Sequence, residues 1–178
     1  MGLFDTLKKV AGGSSKASGP ASVQVSADED ELSAPVRGRA IALAEVPDPV
    51  FAGGMLGDGC AIWPEDDLIY SPVTGEVTVT MGHALGLKGD NGTEVLVHVG
   101  IDTVAMQGEG FEGLVAKGDR VTAGQPVLRV DRAKIKAAGH PDCVVLVVSN
   151  TADYASVGMV VEPGATVEAG QPVLRVQR

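Results

Sequence analysis

The chain has 178 residues, a formal net charge of −9 at pH 7 and a sequence pI near 4.7. This length suits one domain with a sizeable core and a tail. The 14 Lys and Arg residues are scattered, which argues against nucleic-acid binding, because phosphate binding needs clustered basic side chains.

The N-terminus begins with a short amphipathic segment, residues 1–10, in which apolar side chains recur at helical spacing beside two lysines. Such a segment can make weak contact with a membrane surface, although ten residues are marginal as an isolated helix. Residues 11–31 are rich in Gly, Ser, Ala and acidic residues, a composition typical of a flexible linker. We therefore expect a tail and linker over residues 1–31 and one domain over residues 32–178.

The rest of the chain has the pattern of a β protein. From Ser33 onward, Val-rich runs are separated by Gly, Pro, Asn and Asp, and no long segment has a helical period. The turn-plus-strand sequence Ala-Gly-Gln-Pro-Val-Leu-Arg-Val occurs within residues 121–130 and again within residues 167–176. These features predict an all-β fold, an antiparallel β-sandwich or barrel with an internal pseudo-repeat. Residues 132–138 are expected to form one or two helical turns.

Two of the three histidines, His83 and His98, flank the strongest hairpin signal in the chain, Gly-Asp-Asn-Gly at residues 89–92. With Asp90 and Asn91 as a two-residue loop, the histidines lie directly opposite each other. With the loop one residue later, they are diagonal neighbours on the same face. Either loop brings the imidazoles together, whereas an odd-length loop would separate them onto opposite faces.

A histidine pair beside the apolar residues 95–99 suits more than one chemistry. A lone histidine there would more simply be a core residue, but burying two imidazoles without hydrogen bonds is costly. A paired site fits zinc ligation, general acid–base chemistry, or transport of a phosphoryl group on nitrogen. The periodicity of the sequence leaves these three open.

A family signature narrows the choice. The run Val-His-Val-Gly-Ile-Asp-Thr-Val at residues 97–104, followed by Gly-Glu-Gly-Phe at residues 108–111, resembles the active-site signature of the glucose-class enzyme IIA family of the bacterial sugar phosphotransferase system. Gly-His-Ala at residues 82–84 and Ser-Asn at residues 149–150 follow in family order. The resemblance covers nearly the whole chain outside the linker, and the family fold is also an antiparallel β-sandwich.

The resemblance implies a phosphotransferase component with a phosphohistidine intermediate and no cofactor or resident metal. His98 would accept a phosphoryl group from phospho-HPr and pass it to a IIB cysteine of a sugar permease, and His83 would stabilise the phosphoryl oxygens. Asp48 and Asp102 match acidic positions that meet arginines of the partners. The implied apolar docking surface around the site consists of Val50, Phe51, Met55, Leu56 and Val104.

The chain departs from the family pattern near the first histidine. Members of the family have a threonine two residues before it, where this chain has Met81. The connection from Pro72 to His83 is also about two residues shorter. The resemblance therefore does not define what orients the ring of His83.

Two other classes of protein share parts of the sequence pattern. Residues 72–75 and 121–125 resemble biotinyl and lipoyl carrier domains, which need a lysine at a hairpin tip in a Met-Lys-Met or Asp-Lys-Ala context that this chain lacks. A zinc endopeptidase of related fold needs His-x-x-x-Asp and His-x-His sets, but Leu87 and Gly100 stand where those ligands would be.

The sequence also favours a cytoplasmic location. Cys60 and Cys143 form no CxxC pair, so they predict neither a metal knuckle nor a redox motif. No apolar run approaches the length of a membrane span, and the N-terminus lacks the apolar core of a secretory signal.

Overall fold

The computed structural model describes residues 19–178. The strands are β1 (Glu31–Ser33), β2 (Gly38–Ala42), β3 (Asp58–Pro64), β4 (Leu68–Tyr70), β5 (Gly75–Met81), β6 (Ala84–Gly89), β7 (Glu94–Val99), β8 (Phe111–Gly113), β9 (Arg120–Val121), β10 (Pro126–Val130), β11 (Val144–Val148), β12 (Ser156–Met159), β13 (Thr166–Val167) and β14 (Pro172–Gln177). The helices are α1 (Pro49–Ala52) and α2 (Arg132–Ala137), with 3₁₀ helices at Leu43–Glu45, Thr103–Met106 and Thr151–Asp153.

The described strands form one large sheet and two small ones, and neighbouring strands are antiparallel. The eight-stranded sheet has the order β13-β2-β3-β11-β7-β6-β5-β9, and the three-stranded sheets have the orders β1-β14-β12 and β4-β10-β8. The prediction of an all-β antiparallel fold with short helical pieces is confirmed, and α2 lies where helical turns were expected.

Aliphatic side chains form two clusters, one on each face of the large sheet. We call the larger cluster the inner core; it packs the large sheet against the small sheets. We call the smaller one the outer cluster; it lies on the opposite face and is covered by α1 and the 3₁₀ helix Leu43–Glu45. Strand β11 contributes to both clusters, and each of its five residues is buried. The candidate site lies on the face that carries the outer cluster.

The sequence repeat corresponds to a structural repeat. Strands β9 and β10 are joined by a turn containing Gly124, and β13 and β14 by a turn containing Gly170. The two glycines have φ values of 87° and 89°, which favour glycine because other residues are strained there. A Cβ atom would also overlap the carbonyl oxygen of Val23 at one turn and that of Gln24 at the other. The predicted pseudo-repeat is confirmed.

Residues just before β1 contact both repeat turns. The N–H of Val23 donates to the carbonyl oxygen of Gly124 at 2.9 Å, and the N–H of Ser26 donates to that of Gly170 at 3.2 Å. This part of the expected flexible linker therefore lies against the domain. The tail segment 1–10 and its membrane contact lie outside the described residues and remain a prediction. Across residues 19–178, the helices are too short to cross a membrane.

Candidate active site

His83 and His98 lie side by side on the outer face of the large sheet. His98 belongs to β7, where its cross-strand neighbours are Val145 of β11 and Ala84 of β6. The centroids of the two imidazole rings are 4.8 Å apart, and the ring planes are nearly perpendicular, at 78°. Two imidazoles at this separation can act on the same small group.

The register of the β6–β7 hairpin differs from both predicted registers. Ala84 is paired with His98, so the loop has three residues, Asp90–Gly92, and it is closed by a hydrogen bond from the N–H of Gly92 to the carbonyl oxygen of Gly89. Three-residue hairpin loops commonly end in a residue with positive φ, and Gly92 has a φ of 96°. The prediction of a two-residue loop was therefore wrong.

The histidines meet in spite of this register because His83 is not a strand residue. Gly82 and His83 form the turn between β5 and β6. The alternation of side chains along a strand does not apply to a turn, and the carbonyl oxygen of His83 still accepts a hydrogen bond from the N–H of Val99 at 2.8 Å. The predicted proximity is confirmed, although the reason given for it was wrong.

A backbone carbonyl defines the protonation of the His98 ring. Nδ1 of His98 lies 2.9 Å from the carbonyl oxygen of Gly100. A carbonyl oxygen can only accept, so Nδ1 carries the proton and donates it, which leaves the lone pair on Nε2. Gly100 has a φ of 78°, and a Cβ atom there would overlap the methyl group of Thr103 and lie 3.1 Å from the carbonyl oxygen of Pro141. A larger residue would therefore displace the carbonyl that holds the ring.

The site keeps both imidazoles neutral. Burial is the main cause that lowers the pKa of His98 from 6.5 to about 4, and the neighbouring His83 lowers it further. The hydrogen bond to Gly100 and the charges of Asp48 and Asp102 oppose this decrease. Burial also lowers the pKa of His83. His98 is therefore neutral at pH 7, which is the form in which its Nε2 is a nucleophile.

The buried His98 is expected to make the protein less stable in mild acid. In the unfolded chain, an imidazole gains a proton below pH about 6.5, whereas in the folded protein His98 does so only near pH 4. The unfolded state therefore binds more protons within this window. The free energy of unfolding should fall as the pH decreases from 6.5 to about 4, by up to about 3 kcal/mol from this group.

Urea unfolding of the wild type and of His98→Gln at several pH values between 4 and 7 measures this contribution. Other titrating groups are common to both proteins. The difference between the two curves therefore gives the contribution of His98 to the pH dependence of the free energy of unfolding, including its effect on His83. The His98→Gln protein is expected to show the shallower decrease. The same pH dependence in both proteins would contradict a buried, neutral His98.

Phe51 does not belong to an exposed docking surface. Only 5% of this residue is exposed, and the centroid of its ring lies 4.9 Å from that of His98. It is the buried residue of α1 and packs into the outer cluster. The prediction of exposure was wrong, because the helix turns Phe51 toward the sheet and leaves Val50 on the outside. Phe51 instead contributes to the burial of the His98 ring.

The negative charges of the two acidic residues, Asp48 and Asp102, raise the pKa of His98 and so oppose the effect of burial. Asp48 caps α1, where its Oδ1 accepts hydrogen bonds from the N–H groups of Val50 at 2.8 Å and Phe51 at 3.4 Å. Asp102 is exposed and has a φ of 60°. Binding of partner arginines by Asp48 and Asp102 remains a prediction.

The remaining apolar residues proposed for docking are exposed. The exposed fractions are 41% for Val50, 76% for Met55, 41% for Leu56 and 66% for Val104. We call these four residues the apolar rim. Their exposure agrees with the expected surface, and their contact with a partner remains a prediction.

Two further apolar side chains, Val79 and Met81, are exposed on the strand that leads into the His83 turn. The sequence pattern did not predict their exposure. Their alternation with Thr78 and Thr80 resembles an ordinary strand with one buried face. They are exposed because β9 pairs with β5 only at Gly75 and Glu76, which leaves the end of β5 with β6 as its strand neighbour.

The two cysteines and the third histidine are not part of the site. Cys60 and Cys143 are buried free thiols, and burial is the main cause that raises the pKa of each to about 12. His140 is half-buried after α2. Within residues 19–178, no group of three or more His, Cys, Asp and Glu side chains is arranged to hold a metal ion.

Comparison with known proteins identifies relatives of the chain. The family model described as phosphoenolpyruvate-dependent sugar phosphotransferase system, EIIA 1, matches residues 30–154. The chain is 42% identical over 141 residues to the glucose-specific EIIA component of Bacillus cereus, covering 78% of this chain and 86% of the relative. It is 40% identical over 126 residues to the beta-glucoside-specific EIIBCA component of Bacillus subtilis, covering 70% of this chain and 21% of that longer protein.

A solved structure has the same fold. Glucose permease IIA from Mycoplasma capricolum aligns with a TM-score of 0.70 and 33% sequence identity, and the alignment covers 81% of this chain and 93% of that structure. The matched residues 30–154 include both histidines and the loop that follows β7.

Proposed function

Because the chain belongs to the EIIA 1 family of the phosphoenolpyruvate-dependent sugar phosphotransferase system, we propose that His98 is the residue that carries its phosphoryl group. The protein is a phosphoryl carrier of that system. Biotinyl or lipoyl carriers and zinc endopeptidases are not favoured by these relatives. The observation that best supports His98 as the acceptor is its neutral ring, with the Nδ1 proton held by Gly100 and Nε2 without that bond.

The proposed loading step needs no proton transfer. Nε2 of His98 attacks the phosphorus of phospho-HPr, so a new N–P bond forms while the N–P bond of the donor breaks. Each ring keeps its own N–H, because His98 holds its proton on Nδ1 throughout. The donor ring starts as a positively charged phosphoimidazolium and leaves as neutral imidazole, and the ring of His98 becomes a phosphoimidazolium with its Nδ1 proton in place. The protein mainly has to position the reacting groups in line.

In the proposed delivery step, the phosphoryl group moves from the nitrogen of His98 to a sulfur atom. A cysteine thiolate of a IIB domain attacks the phosphorus, the S–P bond forms, the N–P bond to His98 breaks, and neutral His98 is regenerated. The adjacent His83 is proposed to donate a hydrogen bond to a phosphoryl oxygen. Such a charge-assisted bond contributes roughly 1.5–3 kcal/mol. The short distance between the two rings supports this role for His83.

We propose that HPr and the IIB domain bind the same surface in turn. The B. subtilis relative is named EIIBCA, which supports a IIB partner, and HPr is implied by the family resemblance. The exposed apolar rim and the acidic residues Asp48 and Asp102 suit transient docking to a partner with arginines around an apolar centre. We further propose that the protein works in the cytoplasm, with residues 32–178 as the carrier domain and residues 1–31 as its tail and linker.

Incubation with enzyme I, HPr and phosphoenolpyruvate tests the proposed function. We expect one acid-labile phosphoryl group per chain, detected by intact-mass spectrometry. The group should disappear when a IIB domain and its sugar permease are added together with sugar. No labelling by phospho-HPr, under conditions in which a known EIIA component is labelled, would contradict the proposal.

The docking surface is tested by Val104→Lys. This change removes an exposed apolar contact and places a positive charge opposite the proposed arginines. We expect KM for phospho-HPr to rise roughly tenfold, which corresponds to about 1.4 kcal/mol, with little change in stability because Val104 is 66% exposed. The rate of phosphoryl uptake as a function of phospho-HPr concentration provides the measurement.

Val160→Lys is the matched control for Val104→Lys. Val160 is also an exposed valine, 37% accessible, but it follows β12 in a small sheet. The control is expected to keep the wild-type KM. An equal increase in KM for both variants would indicate a general charge effect, and an unchanged KM for Val104→Lys would exclude Val104 from the docking surface.

A further inference from the structure

The ring of His83 is held by other rings. Within the described part of the chain, neither of its ring nitrogens has a hydrogen-bond partner, whereas Nδ1 of His98 has one. The His83 ring makes an edge-to-face contact with His98 and another with Phe111, at a centroid distance of 6.4 Å and an interplanar angle of 68°. Aromatic rings attract each other in tilted arrangements at centroid distances of about 4.5–7 Å. The orientation of His83 is therefore set by packing.

Phe111 is well placed to fix this orientation because its own position is held on two sides. It begins β8 and pairs with Val130 of β10. Its N–H donates to the carbonyl oxygen of Gly108 at 3.2 Å, and its half-buried ring packs against the inner core. Phe111 is thus anchored in a different sheet from β5 and β6, the strands that flank the His83 turn.

The loop before Phe111 also contacts the turn that carries His83. A Cβ atom at Gly82 would lie 3.1 Å from the Cα atom of Gly108, so the two backbones are close. The loop is held in turn by the N–H of Asp131, which donates to the carbonyl oxygen of Gly110 at 2.7 Å. Backbone contact positions the His83 turn, and ring contact positions the His83 side chain.

We propose that Phe111 is a positioning residue for His83, holding its imidazole in the plane from which it donates to a phosphoryl group on His98. The final torsion of a histidine side chain has a broad energy profile, so a ring without a hydrogen-bond partner depends on its neighbours for its orientation. This inference rests on the proposed donor role of His83. It also explains how His83 is oriented in a chain that has Met81 two residues earlier.

Three variants test the inference in the full-length protein. Phe111→Leu keeps an apolar side chain but removes the ring, whereas Phe111→Tyr keeps an aromatic ring. Val115→Ala is the control, because Val115 is another partly buried residue packed on the inner core. Single-turnover delivery from phosphorylated His98 to a IIB cysteine is measured over a range of IIB concentrations.

We expect Phe111→Leu to lower the maximal delivery rate on the order of tenfold, since small displacements of a positioned group cost about this much or more. The IIB concentration at half-maximal rate should not change, Phe111→Tyr should recover most of the loss, and Val115→Ala should deliver at the wild-type rate. In a His83→Gln background, Phe111→Leu should cause no further loss, because it acts through His83. A full tenfold loss in that background, or an unchanged rate in the single variant, would overturn the inference.

Nuclear magnetic resonance tests the ring contact independently of transfer. The wild-type protein should show nuclear Overhauser effects between the ring protons of Phe111 and His83, and Phe111→Leu should shift the His83 ring resonances more than Val115→Ala does. Absence of the effects, or equal shifts, would overturn the inference. If His83→Gln alone delivers at the wild-type rate, the donor role of His83 fails, and these spectra still decide whether Phe111 orients its ring.

Discussion

Replacing His98 with glutamine is expected to abolish phosphorylation by phospho-HPr. The amide N–H of glutamine can still donate toward the carbonyl oxygen of Gly100, so the fold of the site should be retained. An amide nitrogen has no available lone pair, however, and cannot replace the Nε2 nucleophile. Intact-mass spectrometry after incubation with enzyme I, HPr and phosphoenolpyruvate should show no added phosphoryl group.

His140→Gln is the matched control for this experiment. His140 is a half-buried histidine beyond α2, and it is not among the ring partners of His83 or His98. The His140→Gln protein should accept one phosphoryl group at the wild-type rate. Full labelling of His98→Gln would remove His98 from the proposed role, and loss of labelling in both variants would point to an effect other than loss of the acceptor.

Replacing His83 with glutamine is expected to damage delivery more than loading. In the loading step the phosphoryl group moves between two nitrogens of comparable basicity. In the delivery step an anionic thiolate approaches an anionic phosphoryl group, so a donor on the phosphoryl oxygens has more charge to stabilise. Loss of a bond of roughly 1.5–3 kcal/mol would slow delivery by about tenfold to somewhat over a hundredfold.

Single-turnover rates separate these two steps. Uptake from phospho-HPr and delivery to a IIB cysteine are each measured at saturating partner concentration, so that weaker docking does not contribute. The His83→Gln protein should load within a few-fold of the wild type and deliver far more slowly. Wild-type rates in both directions would show that His98 works without His83. An equal decrease in both would contradict the stated difference between nitrogen and sulfur acceptors.

The histidine hairpin shows how far the sequence pattern could predict the site. The Gly-Asp-Asn-Gly signal located the turn between the two histidines, and their proximity is confirmed. The loop length was wrong because Asp90–Gly92 form a three-residue loop, and sequence patterns do not distinguish it from a two-residue loop. The position of His83 depends on a second turn, Gly82–His83, which places the side chain outside the alternation of the strand.

The exposed surface around the site was predicted only in part. The family resemblance indicated the apolar positions, but it did not show that Phe51 points inward on α1 while Val50 points outward. The exposure of Val79 and Met81 was not predicted, because it depends on β9, which pairs with the start of β5 and leaves these two residues uncovered. Both errors concern tertiary contacts, which the local pattern of polar and apolar residues does not specify.

The fold was more predictable than the details of the site. Repeated turn-plus-strand sequences imply repeated structure, and the two turns at Gly124 and Gly170 have nearly equal φ values. The contacts of Val23 and Ser26 with these turns were not expected. Their polar, Ser-rich surroundings resemble a linker, and backbone hydrogen bonds leave no signal in the sequence.

We infer that Nε2 of His98 carries the phosphoryl group while Nδ1 keeps its proton and donates it in a hydrogen bond to the carbonyl oxygen of Gly100. Nitrogen-15 and phosphorus-31 magnetic resonance of the labelled histidines, recorded before and after phosphorylation, tests this most directly. We expect phosphorus coupling at Nε2 of His98 and a proton retained on Nδ1. A phosphoryl group on Nδ1 of His98, or on either nitrogen of His83, would contradict this assignment.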